Sequence, residues 1–113
     1  MSEKPGHSIP QPHELRAIEE LDPAIHAPAR LMILAFLAAV DAADFTFLLN
    51  QTGLTRGNLA NHIGRLEEAG YVAVNKTFVE RIPQTTYRLT DAGREAIEKY
   101  RVNMRQVIDS LLE

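Results

Sequence analysis

The 113-residue sequence contains no cysteine. This absence excludes disulfide bonds, thiolate zinc sites and a cysteine nucleophile, and it fits a reducing cytoplasm. Long apolar runs are also missing, because the longest, Leu31 to Val40, is only half of the roughly 20 residues that span a bilayer. The net charge of −3 excludes a strongly basic nucleic-acid-coating protein, although it still permits a locally basic face.

Motifs for catalysis are absent as well. The sequence has no G-x-S-x-G, no glycine-rich phosphate loop and no H-E-x-x-H. Its adjacent acidic pairs, Glu19-Glu20 and Glu67-Glu68, each point in two directions and are typical of solvated helix surfaces. We therefore expect no enzyme, no catalytic residue, no cofactor and no metal ligand.

The length and the balanced composition, with 45% apolar and 24% charged residues, indicate one globular domain. Residues 1–12 hold three prolines and a glycine, which predicts a flexible arm. Residues 13–90 form the predicted main domain with an N-terminal helix, and residues 91–113 form a predicted C-terminal helix.

Apolar spacing predicts four helices in the first part of the chain. A short amphipathic helix begins at His13 and ends at Asp22-Pro23, since proline disfavours the helical conformation in the preceding residue. Pro28 begins a helix that is apolar nearly all round and therefore buried. Asp44 is the predicted N-cap of the next helix and Thr55 that of the following one.

After the fourth helix the spacing of apolar residues changes from a period of 3.6 residues to a period of 2, which predicts a β-hairpin. Its strands cover about 71–79 and 85–89, joined by a turn at 80–84. Thr90 caps a last helix of about 22 residues. The fold class is thus mainly α with a small β-hairpin (α+β), in the order of a winged helix-turn-helix with a long C-terminal dimerisation helix.

Three stretches carry a family resemblance: LDPAIHAPARLMIL, ADFTFLLNQTGLTRGNLANHIGRLEEAGYV and TTYRLTDAGREAI. They resemble winged-helix DNA-binding regulators related to the MarR and ArsR groups, in particular a small single-domain set with an LDP-IHAP-R opening. The resemblance covers Leu21 to Tyr100. It implies a homodimeric, cytoplasmic, prokaryotic transcription regulator that binds duplex DNA, with repression favoured. It identifies neither the operator nor the regulated genes.

The helix after Gly53 has the residues that a major groove requires. No acidic residue lies between Thr55 and Arg65, whereas the chain as a whole is acidic. Asparagine can pair with adenine, and arginine with guanine or a phosphate. The alternative is an ordinary solvated helix face. The expected DNA contacts from this helix are Thr55, Arg56, Gly57, Asn58, Asn61, His62 and Arg65.

The hairpin adds a second basic surface, with Lys76, Arg81 and Thr85 as expected DNA contacts. Residues 55–88 hold five basic and three acidic side chains, a net charge of +2, against −3 for the whole chain. This polarity would orient the domain toward DNA. The alternative is that the basic residues only protect an exposed strand edge from aggregation.

The last helix carries a heptad-like apolar stripe, which predicts a homodimer. A helix of about 22 residues is near 33 Å long, more than a small domain covers. Two recognition helices related by a twofold axis would lie about 34 Å apart, which predicts an inverted-repeat site. The alternative is that the helix folds back onto its own domain. The expected interface residues are Leu15, Ile18, Ile97, Tyr100, Met104, Val107 and Leu111.

Two further hypotheses stay open from the sequence. The acidic net charge also fits a winged-helix protein-interaction module without DNA binding. A small-molecule effector could occupy a pocket lined by Phe36, Phe47, Tyr100 and Met104, although ordinary packing is the simpler interpretation of these side chains. The sequence does not distinguish repression from activation.

Overall fold

Helices and a small sheet alternate in a computed structural model that describes residue 9 and residues 11–112. Most of the predicted arm at 1–12 lies outside the described residues. The predicted class, mainly α with a small antiparallel sheet, is confirmed. The helices are α1 (Arg16–Glu19, after a 3₁₀ turn at Pro12–Leu15), α2 (Pro28–Ala39), α3 (Phe45–Thr52), α4 (Arg56–Glu68) and α5 (Asp91–Leu112), and the strands are β1 (Ala43–Asp44), β2 (Val72–Val79) and β3 (Ile82–Leu89).

The helix-turn-helix formed by α3 and α4 has the predicted caps. The Phe47 N–H donates to Asp44 Oδ1 at 2.7 Å, and the Asn58 N–H donates to Thr55 Oγ1 at 3.2 Å. Gly53 turns the chain between the helices with a φ of +69°, a left-handed conformation that glycine adopts without a Cβ clash. The helical spacing therefore predicted this unit correctly.

The core lies where α2, α3 and α4 meet the inner face of the sheet. Its fully buried side chains come from the loop before α2 and from all three helices, as expected from the apolar stripes. Burial of each such side chain stabilises the fold by about 1.5–3 kcal/mol. The members with the least exposure are Ile25, Ile33, Leu37, Leu48, Leu59, Ile63 and Leu66.

The prediction that α2 is buried nearly all round was wrong for one side of the helix. Leu31, Ala35 and Ala38, spaced by four and three residues, are exposed. The reason is that α3, α4 and β3 pack against the other side only. Composition showed that this helix is apolar, but it did not show how many neighbours cover it.

The sheet differs from the predicted hairpin in two ways. Strand β1 was not predicted, because a strand of two residues is too short to show an alternation of apolar and polar side chains. It pairs with β3 through Ala43 and Tyr87, so the sheet order is β1-β3-β2. The predicted five-residue turn was wrong, since only Glu80 and Arg81 connect the strands. Both have positive φ, +52° and +69°, as in a type I′ turn, which matches the twist of paired strands.

Helix α5 extends far beyond the core. Its first turn is capped by Thr90, whose Oγ1 accepts from the Gly93 N–H at 3.0 Å. Its later part contacts α1 and the residues that follow it: Ala17 and Leu21 cover Val107, and Asn103 donates to the Glu20 carbonyl. The radius of gyration is 18.1 Å, where a compact chain of this length would have about 13 Å. Among the described helices, none is long and apolar enough to cross a membrane.

We predict that Gly93→Ala destabilises the fold by about 1–3 kcal/mol, because overpacking carries costs of that size. A Cβ at Gly93 would meet the Tyr71 carbonyl oxygen and lie 2.8 Å from Leu89 Cδ1. Urea unfolding measures the effect. The matched control is Gly64→Ala, which meets no atom within 4 Å and should stabilise α4 by up to about 1 kcal/mol. Equal stability of the two variants would contradict the assigned packing.

Candidate nucleic-acid interface

The exposed face of α4 is a continuous polar surface. Leu59, Ile63 and Leu66 bury one side of the helix and thereby fix which side faces outward. Six of the predicted contact residues are exposed, and the seventh, His62, is half-buried at the edge of the face. The six exposed residues are Thr55, Arg56, Gly57, Asn58, Asn61 and Arg65.

The start of α4 is suited to an anion such as a phosphate. The Thr55 side chain satisfies the Asn58 N–H, while the N–H groups of Arg56 and Gly57 have no acceptor within the helix. The Arg56 guanidinium carbon lies 6.0 Å from the centre of the Phe45 ring, a cation–π distance that holds this side chain beside α3. Donors and a positive charge therefore meet at one end of the helix.

His62 connects the polar face to α2. Its Nδ1 lies 3.1 Å from Arg30 Nη1, within hydrogen-bond distance. Partial burial lowers the pKa of His62 below its ordinary value of 6.5, and the charges of Arg30 and Arg65 lower it further. His62 is therefore a neutral side chain at physiological pH, not one of the cations of the face.

Arg30 is a residue whose role sequence reasoning missed. Its Nε donates to the Ala24 carbonyl at 2.6 Å and its Nη2 to the Pro23 carbonyl at 3.0 Å. The side chain thus joins the loop before α2 to α4 through His62. The only signal in the sequence was its place as the final residue of the LDP-IHAP-R opening.

The same loop contacts two more elements. Asp22 Oδ1 accepts from the Ala24 N–H at 2.9 Å, and Asp22 Oδ2 accepts from the Tyr71 hydroxyl at the start of β2. This hydrogen bond, together with burial and the carboxylate charge, raises the pKa of Tyr71 to about 12. His26 Nδ1 lies 2.9 Å from the Tyr100 hydroxyl on α5. We call residues 22–26 with Arg30 the hub loop.

The hairpin presents its predicted basic residues away from the core. Lys76 and Thr85 are directly opposed on β2 and β3, with Lys76 exposed and Thr85 half-buried, and Arg81 is exposed in the turn. The hairpin also has an apolar tip, where Phe78 is 73% and Ile82 67% exposed. The hairpin is therefore a basic arm with an apolar end.

The residues predicted for the dimer interface fall into two groups. Ile97, Tyr100 and Met104 line an open groove along α5 together with Ile108. Leu111 is 67% exposed, whereas Val107 is 7% exposed because α1 of the same chain covers it. On α1 and its preceding turn, Ile18 is exposed and Leu15 half-buried. Part of the apolar stripe predicted from the heptad spacing is thus covered by α1, and the rest of it is exposed to solvent.

The four residues considered for an effector pocket fall into two pairs. Phe36 and Phe47 contact each other edge-to-face, with ring centroids 6.3 Å apart. The groove lined by Tyr100 and Met104 includes neither phenylalanine. Within one chain, the Phe36–Phe47 contact is ordinary packing between α2 and α3.

Comparison with known proteins identifies the fold and the family. The sequence profile described as "Winged helix DNA-binding domain" matches residues 29–108. An uncharacterized protein of Methanocaldococcus jannaschii is 35% identical over 71 residues, which is 63% of this chain and 77% of the relative. The solved structure of a transcriptional regulator homologue from Pyrococcus horikoshii is 34% identical, with a TM-score of 0.77 over 88% of this chain and 97% of the other.

A DNA complex is also among the similar structures. The transcriptional repressor CouR, solved on a 23-mer DNA duplex, matches 88% of this chain and 68% of its own, with a TM-score of 0.67. At 22% identity this match shows a shared fold only. The family profile and the Pyrococcus structure confirm the resemblance of the sequence to winged-helix regulators, while the individual contact residues stay predictions.

We predict that His62 titrates below pH 6.5 and that Arg30→Met moves its midpoint upward, though not fully to 6.5, because burial and Arg65 remain. The pKa of His62 is lower in the folded state than in the unfolded state. The stability that the neutral histidine contributes is therefore fully present above pH 6.5, and it is lost as the pH falls through the folded-state pKa. Ring proton NMR measures the midpoint. Arg16→Met removes a distant charge and is the control. A wild-type midpoint at or above 6.5 would contradict the geometry.

Proposed function

The chain belongs to the winged helix DNA-binding domain family, and from that premise we propose that it is a homodimeric, sequence-specific regulator of transcription. Its family and fold neighbours are DNA-binding regulators and not enzymes, in agreement with the catalytic motifs missing from the sequence. In the proposed complex α4 enters the major groove, and the β2–β3 hairpin lies along the phosphate backbone or reaches the minor groove.

The observation that carries the proposal is the carboxylate-free outward face of α4. Its acidic residues, Glu67 and Glu68, are confined to the last turn, beyond Arg65. A phosphate backbone repels carboxylates strongly, so a groove-binding helix requires this arrangement and an ordinary solvated helix does not. The exposed cations of the hairpin, Lys76 and Arg81, extend the same positive surface.

The proposed homodimer rests on the uncovered apolar side of α5. Ile108 and Leu111 are exposed near the end of the helix, and the groove they continue is lined by Ile97 and Met104. The expanded radius of gyration supports the same conclusion, because an extended helix of this kind needs a partner to bury its outer half. A twofold pair of chains would read an inverted repeat.

We propose repression as the direction of regulation, because the proposed function requires the protein to occupy duplex DNA. A protein that occupies duplex DNA near a promoter competes with the transcription machinery for the same segment. The cytoplasm of a prokaryotic cell is the proposed location, since the duplex lies there.

We predict that Arg56→Ala and Asn61→Ala each weaken binding to a duplex from upstream of the protein's own gene about tenfold or more, since each removes a groove contact. Fluorescence anisotropy over a salt series measures this. The wild-type affinity should fall steeply with salt. Arg16→Ala makes the same charge change on α1 and should bind as the wild type does. Wild-type protein without salt-sensitive binding would point instead to a protein-interaction module.

We predict that the double substitution Ile108→Glu and Leu111→Glu converts the protein to a monomer, since it places two carboxylates in the proposed apolar interface. Sedimentation should give twice 12.6 kDa for the wild type and 12.6 kDa for the variant. Ile82→Glu, at an equally exposed apolar position on the hairpin, is the control and should remain dimeric. A monomeric wild type at high concentration would refute the interface.

A further inference from the structure

The hydrogen bond between Arg30 and His62 determines which ring nitrogen of the histidine carries a proton. An arginine guanidinium has five N–H donors and no acceptor. Because Arg30 Nη1 lies 3.1 Å from His62 Nδ1, the Nδ1 atom must accept. A neutral imidazole with an accepting Nδ1 carries its proton on Nε2.

The Nε2 atom of His62 is open to solvent. Among the described residues only Nδ1 of the ring has a hydrogen-bond partner, which is Arg30. Within residues 11–112 no fully buried side-chain nitrogen or oxygen lacks a partner, so Nε2 is not fully buried. The ring itself is only half-buried. The free Nε2–H therefore belongs to the accessible side of the ring.

His62 lies at the flank of the outward face of α4. It is four residues after Asn58 and three before Arg65, spacings that place the three side chains on one side of a helix. Asn58 and Arg65 are exposed predicted contacts of the duplex. A donor on His62 thus lies beside them, at the edge of the surface that the proposed function assigns to DNA.

We propose that Arg30 is a positioning residue that fixes the Nε2–H tautomer of His62, so that α4 presents this N–H to a hydrogen-bond acceptor of the bound duplex. The inference rests on the proposed function. The acceptor is a phosphate oxygen or the acceptor edge of a base, such as guanine O6 or N7. A fixed donor is selective, since it cannot pair with the amino groups of adenine or cytosine.

Two other contacts of Arg30 make this control rigid. Two of its nitrogens are held by the Ala24 and Pro23 carbonyls at 2.6 and 3.0 Å. The side chain therefore cannot turn away from His62 without giving up both of these hydrogen bonds. The neighbouring positive charges of Arg30 and Arg65 also oppose a second proton on the ring.

Two substitutions of His62 separate its two nitrogens. In His62→Asn the amide oxygen takes the place of Nδ1 and can still accept from Arg30, but the distal N–H is lost. In His62→Gln the amide group reaches the position of Nε2 and can donate to the duplex. Asparagine should therefore retain the link to the hub loop, and glutamine should retain the contact with DNA.

The tautomer is measured on the full-length protein without DNA, by two-bond ¹⁵N–¹H correlation spectra of the histidine rings at pH 7.5. We expect Nε2–H for His62 in the wild type and a mixture of both tautomers in Arg30→Met. Arg16→Met, which removes a cation from α1, should leave the spectrum unchanged. An Nδ1–H form or a mixture in the wild type would overturn the inference.

Duplex binding supplies the second test, with the DNA from upstream of the protein's own gene. We expect His62→Asn to weaken binding about three- to tenfold, the effect of one hydrogen bond, and His62→Gln to restore most of it. Arg30→Met should weaken DNA binding when it is the only substitution. It should cause a smaller loss of DNA affinity in protein that already carries His62→Asn. Equal binding by the wild type and His62→Asn would overturn the donor role.

Base substitutions in the duplex distinguish the two acceptors. A loss in His62→Asn that is uniform across all sequences identifies a phosphate oxygen, while a loss confined to one base pair identifies a base edge. If the wild type shows no salt-sensitive binding, the proposed function fails and this inference fails with it. If the wild type binds and His62→Asn binds equally well, only this inference fails.

Discussion

The backbone carbonyls of Pro23 and Ala24 need hydrogen-bond donors, and this need constrains how α2 and α4 are arranged. The chain has to turn sharply between α1 and α2, and the turn leaves these carbonyls without a backbone donor; Arg30 supplies both donors from the first turn of α2. Once the guanidinium is held there, its remaining nitrogen meets His62. The position of α4 relative to α2 is therefore set by a polar network as well as by the apolar core.

The hub loop also connects that helix to the rest of the chain. Asp22 reaches Tyr71 at the start of β2, and His26 reaches Tyr100 on α5. Hydrogen bonds of this kind contribute about 1 kcal/mol each, less than the burial of one core leucine, so they do not hold the domain together. Their effect is geometric: they fix how α4, the hairpin and the long helix are oriented about one short segment.

Local patterns in the sequence predicted most of the fold for definite reasons. Capping predicted the role of Thr55, and the need for a positive φ predicted that of Gly53. The helical period predicted the buried stripe of Leu59, Ile63 and Leu66. All three effects act over a few residues. Strand β1 and the role of Arg30 depend on partners distant in the chain, and no local pattern encodes them. The same holds for Val107, which belongs to the apolar stripe of α5 but is covered by α1 of the same chain, a contact that no local pattern encodes.

The two left-handed residues in the β2–β3 connection have a consequence for the motions of the hairpin. Neither Glu80 nor Arg81 is a glycine or asparagine, so this bend closes against a steric penalty of about 1 kcal/mol per residue. Pairing must therefore be driven from the base, where Val72 and Leu89 are buried, and it weakens toward Phe78 and Ile82. Such a hairpin opens first at its tip, so in the proposed complex its far half can follow grooves of different width while the core stays unchanged.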